Sequence, residues 1–268
     1  MNICLLNKYL EQNIKAADDI VLMPQVVCFD KTDSTNVQVA KVVRTQKLGR
    51  QLLITADEQT AGKGRLNRNF YSPKETGVYF SLFVNGEFEL NDVIKFTPLA
   101  AVCVCKAIEK FSAQKPLIKW VNDVYINDKK VCGILCESVL NKTCDKASGI
   151  IIGIGVNLTT KDFPSAIPGA ASVFDSVDTM KNSVSPEAFV AEIATQILFE
   201  APYIANNRHM SYYKSHSYLT GKNIEWVYKD VKKTGKCLGI GDNGELIAQS
   251  TNGEIFTLIG GEITVKAK

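Results

Sequence analysis

Little in this 268-residue sequence points to a membrane, a metal or an export route. No stretch approaches the roughly 18 to 20 uninterrupted apolar residues that a spanning helix requires. The opening MNICLLNKYLEQNIKAADD has no basic region ahead of an apolar run and no small-residue cleavage site, so no signal peptide is read. Eight cysteines occur, at positions 4, 28, 103, 105, 132, 136, 144 and 237, but none in C-x-x-C spacing. Without an export signal they read as reduced, mostly buried thiols. Only His209 and His216 could join them, and with no third ligand near, a mixed Cys/His zinc cluster is not expected. An excess of charge of either sign is lacking: 31 Lys+Arg against 28 Asp+Glu leaves +3, too mild to imply nucleic-acid or membrane-surface binding. Also missing are the P-loop G-x-x-x-x-G-K-[ST], the G-x-S-x-G elbow and any internal repeat, and Gly62-Lys63-Gly64 lacks the third glycine of G-x-G-x-x-G. The expectation is a cytoplasmic protein whose basic chemistry is local.

What is present is a large hydrophobic fraction, 46%, enough for a sizeable core, and a length that allows one large domain or a large and a small one. Phe96, Leu99, Ala100, Cys103, Val104, Ala107, Ile108 and Phe111 recur at three-four spacing and predict a helix, with Pro98 tolerated in its first turn. Ser185-Pro186-Glu187 supplies a cap, a first-position proline and an acid, ahead of the stripe Phe189, Val190, Ile193, Ile197 and Leu198. Asp33 or Ser34 can cap a third helix. Val78 to Val84 and Ile150 to Val156 are nearly continuous apolar runs, the pattern of strands buried on both faces. A hairpin turning at Asn127-Asp128 is followed by Gly133 to Cys136. The irregular interleaving of helices and strands predicts an α+β fold. Beyond about Gly221, five short strands punctuated by Asp242-Asn243-Gly244 and Asn252-Gly253 predict a small barrel.

Four strings could carry chemistry. Glu58-Gln59-Thr60-Ala61-Gly62-Lys63-Gly64-Arg65-Leu66-Asn67-Arg68-Asn69-Phe70 gathers two glycines and three cations in one loop, suited to phosphate oxygens or equally to an exposed basic hairpin. Lys119-Trp120-Val121-Asn122-Asp123, with Lys130 and Gly133 to Glu137 after it, reads as a charged ligand's orienting group or as a solvated turn. Gly153-Ile154-Gly155-Val156-Asn157 places glycines inside a buried strand, which marks a close approach by a ligand or by a packed helix. Asp33-Ser34-Thr35-Asn36 is a good helix cap. The two histidines, seven apart, would share one helical face.

Taken together and in this order, the four strings resemble the biotin protein ligases, from about Asp33 to Leu158 and more weakly through Gly221 to Val265. That family carries S-T-N, Q-x-A-G-R-G-R-x-G-R-x-W, K-W-P-N-D with K-x-x-G-I-L-x-E, and G-I-G-x-N. The resemblance implies a mixed-sheet core flanked by helices, as in class II aminoacyl-tRNA synthetases, over residues 1–219. An SH3-like barrel would follow over 220–268. It also implies an ATP-dependent reaction in which biotin becomes biotinyl-5′-adenylate and is passed to a lysine of a biotin carboxyl carrier protein or domain. ATP with Mg²⁺ would take part, without a protein-only metal site.

By position, Lys130, Arg65 and Asp123 correspond to catalytic residues. Ser34, Thr35, Asn36, Gln59, Gly62, Lys63, Gly64, Arg65, Lys130, Gly133, Gly153 and Gly155 would bind biotin. Lys63, Arg65, Arg68, Asn122, Lys130 and Asn157 would bind ATP or the adenylate. The loop from Gly62 to Phe70 is expected to order over the ligand, and the stretch from Ala170 to Asp178 to border the adenylate. Lys63, Asn67, Phe70 and Val121 depart from the family's Arg, Gly, Trp and Pro. The alternatives are a lipoate or octanoate ligase on the same core, or a non-catalytic biotin sensor. The thirty or so residues before Asp33 are too few for a DNA-binding winged helix, and no membrane partner is expected. A monomer and a homodimer both remain open.

Overall fold

The computed structural model describes residues 1–16, 21–45, 49–182, 184–261 and 263–265. Its first element is helix α1 (Ile3–Ala16), followed by strand β1 (Gln25–Thr32), α2 (Thr35–Thr45) and β2 (Leu52–Gln59). A short 3₁₀ turn at Arg65–Asn67 leads to β3 (Gly77–Glu89), α3 (Leu90–Val93) and α4 (Phe96–Phe111). Strands β4 (Leu117–Lys119), β5 (Asp123–Ile126), β6 (Lys129–Leu140) and β7 (Lys146–Asn157) come next. Helices α5 (Val177–Lys181), α6 (Pro186–Glu200) and α7 (Met210–Ser215) precede β8 (Asn223–Tyr228), β9 (Val231–Ile240), β10 (Leu246–Ser250), β11 (Ile255–Leu258) and β12 (Ile263–Val265).

The first seven strands form one mixed sheet in the order β1-β2-β3-β7-β6-β5-β4, parallel only between β1 and β2. The two apolar runs become its central pair, β3 and β7, as burial on both faces requires. Alternation along β3 divides the core. Val78, Phe80, Leu82 and Val84 join the large cluster under α4 and α6, while Phe83 joins Val39, Leu52, Ile54 and Ile151 beneath α2. The sheet is thus covered by α4, α6 and α1 on one side and by α2 on the other.

The local reasons match the sequence patterns. In α6 the Ser185 hydroxyl accepts from the Ala188 amide and Pro186 takes the first position, where no backbone donor is needed. Asn127 and Asp128 both have positive φ, 49° and 62°, as the two-residue turn between β5 and β6 demands. Helix α1 is not predicted by the sequence pattern, because only Leu6 and Leu10 carry its buried stripe. The stretch Pro186–Asn206 reaches the length and hydropathy of a membrane span, yet more than half of it is buried inside the protein.

The last five strands form an antiparallel sheet of order β11-β10-β9-β8-β12, a separate layer of the kind an SH3-like module uses. Its strands match the five expected, except that β9 runs ten residues rather than four. The sheet docks on the core through its 241–245 turn: the Trp120 indole donates to the Gly244 carbonyl at 2.8 Å, and Lys214 pairs with Asp242. The histidines differ from expectation. Because α7 is only six residues long, they flank it rather than share a face, and among the described residues no His, Cys, Asp and Glu cluster could hold a metal.

Candidate active site

The site lies on the α2 side of the sheet, where the first turn of α2 overhangs the central strands. Register sets two rows across β3, β7 and β6: Tyr79–Gly155–Gly133, and next to it Ser81–Gly153–Leu135. Glycine in the middle of each row removes a side chain from the floor, and the structure shows what uses the space. A Cβ on Gly153 would stand 2.0 Å from Asn36 Oδ1, so the second row is roofed by the Asn36 amide. A Cβ on Gly155 would stand 2.4 Å from the Phe70 ring, and one on Gly133 3.1 Å from it. The resemblance implies that Gly133, Gly153 and Gly155 all bind biotin. Here the Phe70 ring lies on Gly133 and Gly155, and Gly153 backs Asn36.

The polar end of this slot comes from α2 and β2. Thr35 N–H donates to Gln59 Oε1 at 2.9 Å, and Gln59 Nε2 donates to the Ser72 hydroxyl at 2.9 Å. Buried Ser34, Thr35 and Asn36 close the same end. With Phe70 in place the slot retains only about 20 Å³, hardly more than one water.

The glycine-bearing basic loop turns back on itself over the slot. Gly64 N–H donates to Arg68 O at 2.7 Å and Phe70 N–H to Gly62 O at 2.8 Å, with Lys63 bridged to Asn69. A Cβ on Gly62 would come within 2.5 Å of Phe70 O, so this closure depends on glycine. Leu66 and Asn67 both have positive φ, 54° and 58°, at the loop's tip. Asn67 tolerates that conformation readily, and Leu66 carries the strain.

Beside the slot opens a cavity of about 350 Å³, lined by the loop's Lys63, Arg65 and Arg68 and by Asn122, Asp123 and Lys130. Lys130 Nζ lies 2.7 Å from Asp123 Oδ1, an ion pair rather than a well-aligned hydrogen bond. Arg65 donates to the Asn122 side-chain oxygen at 3.2 Å, and Asn122 Nδ2 donates to Ile134 O at 2.8 Å. The expected catalytic residues, and those expected to bind ATP other than Asn157, are therefore brought together. The Trp120–Val121 peptide in the preceding turn is cis.

Lys130 also borders a second cavity of about 210 Å³, shared with Asn157, Tyr71, Phe163 and Ile167 to Ala170. Asn157 is buried. Its Nδ2 donates to Ala171 O at 3.1 Å, while its Oδ1 has no partner. The segment bordering this cavity lies mostly before Ala170, earlier in the chain than expected. It is bound to β6 by Lys130 N–H to Gly169 O and Ala171 N–H to Lys130 O. Ser81, Tyr71 and Ile167 had no motif to mark them. Of the three, Ser81 alone stands out in the sequence, as a lone polar residue within an apolar run.

The seven-stranded mixed sheet flanked by helices is the catalytic fold of the biotin protein ligases. It superposes on "Biotin protein ligase from Aquifex aeolicus in complex with biotin and ATP" with a TM-score of 0.73, at 22% identity, over 92% of this chain and 100% of that one. Residues 28–157 match the Biotin/lipoate A/B protein ligase family. The chain is 30% identical over 168 residues to the biotin–[acetyl-CoA-carboxylase] ligase of Paracoccus denitrificans, covering 61% of this chain and 68% of that protein. It is also 29% identical over 255 residues to the bifunctional ligase/repressor BirA of Bacillus subtilis, covering 92% of this chain and 76% of that one. The chain belongs to the biotin/lipoate protein ligase family.

Proposed function

We propose that this protein is an ATP-dependent biotin–protein ligase. It would join biotin to ATP as biotinyl-5′-adenylate, releasing pyrophosphate, and then transfer the biotinyl group to a lysine of a carrier protein, releasing AMP. The observation that carries this reading is the adjacency of two unlike compartments. One is a flat slot with a polar end, floored by Gly133 and Gly155; the other is a cationic cavity, and Lys130 stands beside both. A ring with a hydrogen-bonding head suits the first once the Phe70 ring withdraws from the glycine floor, and a polyphosphate suits the second. The names of the relatives, a biotin–[acetyl-CoA-carboxylase] ligase and a ligase/repressor, and the biotin and ATP in the Aquifex aeolicus structure support the same reading.

The chemistry follows from the charges. A carboxylate attacking an α-phosphate brings two anions together, so the barrier falls when a fixed cation meets both. Lys130, held by Asp123, supplies that cation. Arg65, tethered to Asn122, and Arg68 and Lys63 in the folded-back loop supply phosphate contacts. The partnerless Asn157 Oδ1 suits the exocyclic amine of adenine, which supports placing the base in the smaller cavity. Magnesium would arrive with ATP. Among the described residues lining the cationic cavity Asp123 is the one carboxylate, and it is engaged by Lys130, which supports the polyphosphate as the holder of the ion. We take residues 1–219 as the ligase domain, 220–268 as the carboxy-terminal module, and the cytoplasm as the site of action.

The test is pyrophosphate exchange into ATP, measured separately with biotin and with lipoate. Biotin-dependent exchange is expected. Exchange with lipoate alone would replace this reading by a lipoate ligase, and binding of biotin with no exchange would replace it by a sensor.

A further inference from the structure

Helix α7 stands between the carboxy-terminal sheet and the turn that carries Asn122 and Asp123. Its far end is sewn to β4: Ile118 N–H donates to His216 O at 2.7 Å, and Tyr218 N–H to Ile118 O at 2.8 Å. Two of its residues hold the 241–245 turn, Lys214 by pairing with Asp242 and Met210 by lying beside Gly244. Tyr213, between them in the chain, serves the core instead. Its ring is buried, and its hydroxyl donates to the Val121 carbonyl at 3.1 Å. A buried phenol needs such an acceptor, and the acceptor it has found lies one residue ahead of the catalytic side chains.

The Val121 carbonyl belongs to the peptide unit that leads into Asn122. The following carbonyl, Asn122 O, accepts from Ile134 N–H at 3.0 Å. Because each peptide unit is planar, pinning the units on both sides of one Cα leaves its two soft dihedrals little freedom. Asn122 is pinned in this way, by α7 in front and by β6 behind. Its side-chain oxygen then accepts from Arg65 at 3.2 Å, and Asp123, next along, holds Lys130 at 2.7 Å. Two cations of the phosphate-side cavity are thus oriented from one turn whose backbone the Tyr213 hydroxyl helps to set. Burial, and next the Cys105 thiol, raise the pKa of that phenol, so it remains a donor at any working pH. Arg65 and Asp123 also act on it, in opposite directions, which places the hydroxyl within reach of both site charges.

We propose that Tyr213 is a positioning residue for adenylate formation: through the Val121 carbonyl it holds Asn122 and Asp123 where they aim Arg65 and Lys130 at the phosphates. This rests on the biotin ligase reading of the site. None of the described residues lining the glycine-floored slot belongs to the 120–123 turn. Loss of the hydroxyl should therefore slow the chemistry and leave biotin binding alone. A tyrosine that only filled the core would lower stability when altered and leave the turnover of folded molecules unchanged.

The experiment is Tyr213→Phe, which keeps the ring in the core and removes the hydroxyl. Biotin-dependent pyrophosphate exchange is measured at saturating biotin and ATP. Rates are taken per biotin-binding molecule, counted by calorimetry, so that a less stable variant is still judged on its folded fraction. The exchange kcat should fall about tenfold, within the scale for misplacing a reacting group by up to an ångström. The biotin Kd should stay within about twofold. The second arm repeats the substitution in a chain already carrying Asn122→Ala and Asp123→Asn. There Tyr213→Phe should cost less than about twofold more, because its effect passes through residues already altered. A purely structural tyrosine would cost the same factor in both chains. An unchanged kcat in Tyr213→Phe, or an equal factor in the two backgrounds, would overturn this proposal alone. Absence of biotin-dependent exchange in the wild type would overturn the ligase reading and this proposal with it.

Discussion

Lys130 stands where three demands meet. It borders both nucleotide-side cavities, its chain passes within 3.3 Å of where a Gly133 Cβ would be, and its ammonium is held 2.7 Å from Asp123. A lysine that served only this ion pair would be worth little to stability, because the pair is a third exposed on the lysine side. Lys130→Ala should therefore leave the unfolding midpoint nearly unchanged and reduce biotin-dependent pyrophosphate exchange by about 100- to 1000-fold, the scale for losing one fixed charge-stabilising group. Near-normal exchange in that variant would remove Lys130 from its assigned role. Its neighbour Arg65 differs in kind: its hydrogen bond to Asn122 ties the cationic loop to the β4–β5 turn.

At the scale of the element, the loop from Gly62 to Phe70 unites features that the sequence displays separately. Its glycines permit the backbone bonds that fold it down, its cations point toward the phosphate-side cavity, and Phe70 at its end covers the glycine floor. One phenyl ring borders the slot and both larger cavities, so a ligand ring entering the slot must displace it. Displacement taxes binding, because only the fraction of molecules with the ring withdrawn can accept ligand. Phe70→Ala should accordingly raise the biotin association rate about five- to tenfold in stopped-flow measurements. The same variant should release AMP faster in the absence of acceptor, as water reaches the adenylate. An unchanged association rate would show that the ring is no obstacle.

At the scale of the molecule, the carboxy-terminal sheet is tied to the core at Trp120, Asn207 and Lys214, which grip the Asp242–Gly244 turn. Close by, His209 is buried at the start of α7, and desolvation, followed by repulsion from Lys95 and Lys106, pushes its pKa down to about 4. The unfolded chain takes up this proton below about pH 6.5, the folded chain only below about 4. The unfolded state thus binds more protons across that window, and stability falls as pH drops from about 6.5 to 4. Urea unfolding at pH 7 and pH 4.5 should show His209→Gln losing about 2 to 3 kcal/mol less than the wild type over that interval. Equal losses in the two proteins would assign the acid sensitivity elsewhere.

The sequence by itself determined the parts whose signals are local. Apolar periodicity and a Ser-Pro-Glu cap set α4 and α6, two apolar runs set the central strands, and Asn127-Asp128 set a hairpin. The ordered motifs from Asp33 to Asn157 marked Thr35, Gln59, Arg65, Asn122, Asp123 and Lys130 before any contact was known. Helix α1 escaped because Leu6 and Leu10 make too thin a stripe without the α6 surface they pack on. Ser81 escaped because a single serine in a buried run has no periodicity of its own. Only the tertiary structure decided that Gly153 makes room for Asn36 while Gly155 and Gly133 lie under Phe70, since that depends on the register of β3, β7 and β6. It likewise decided that Ser81, Asn36 and Glu137, from three distant stretches of chain, join in one hydrogen-bonded series, because only the fold brings their polar atoms within reach of one another.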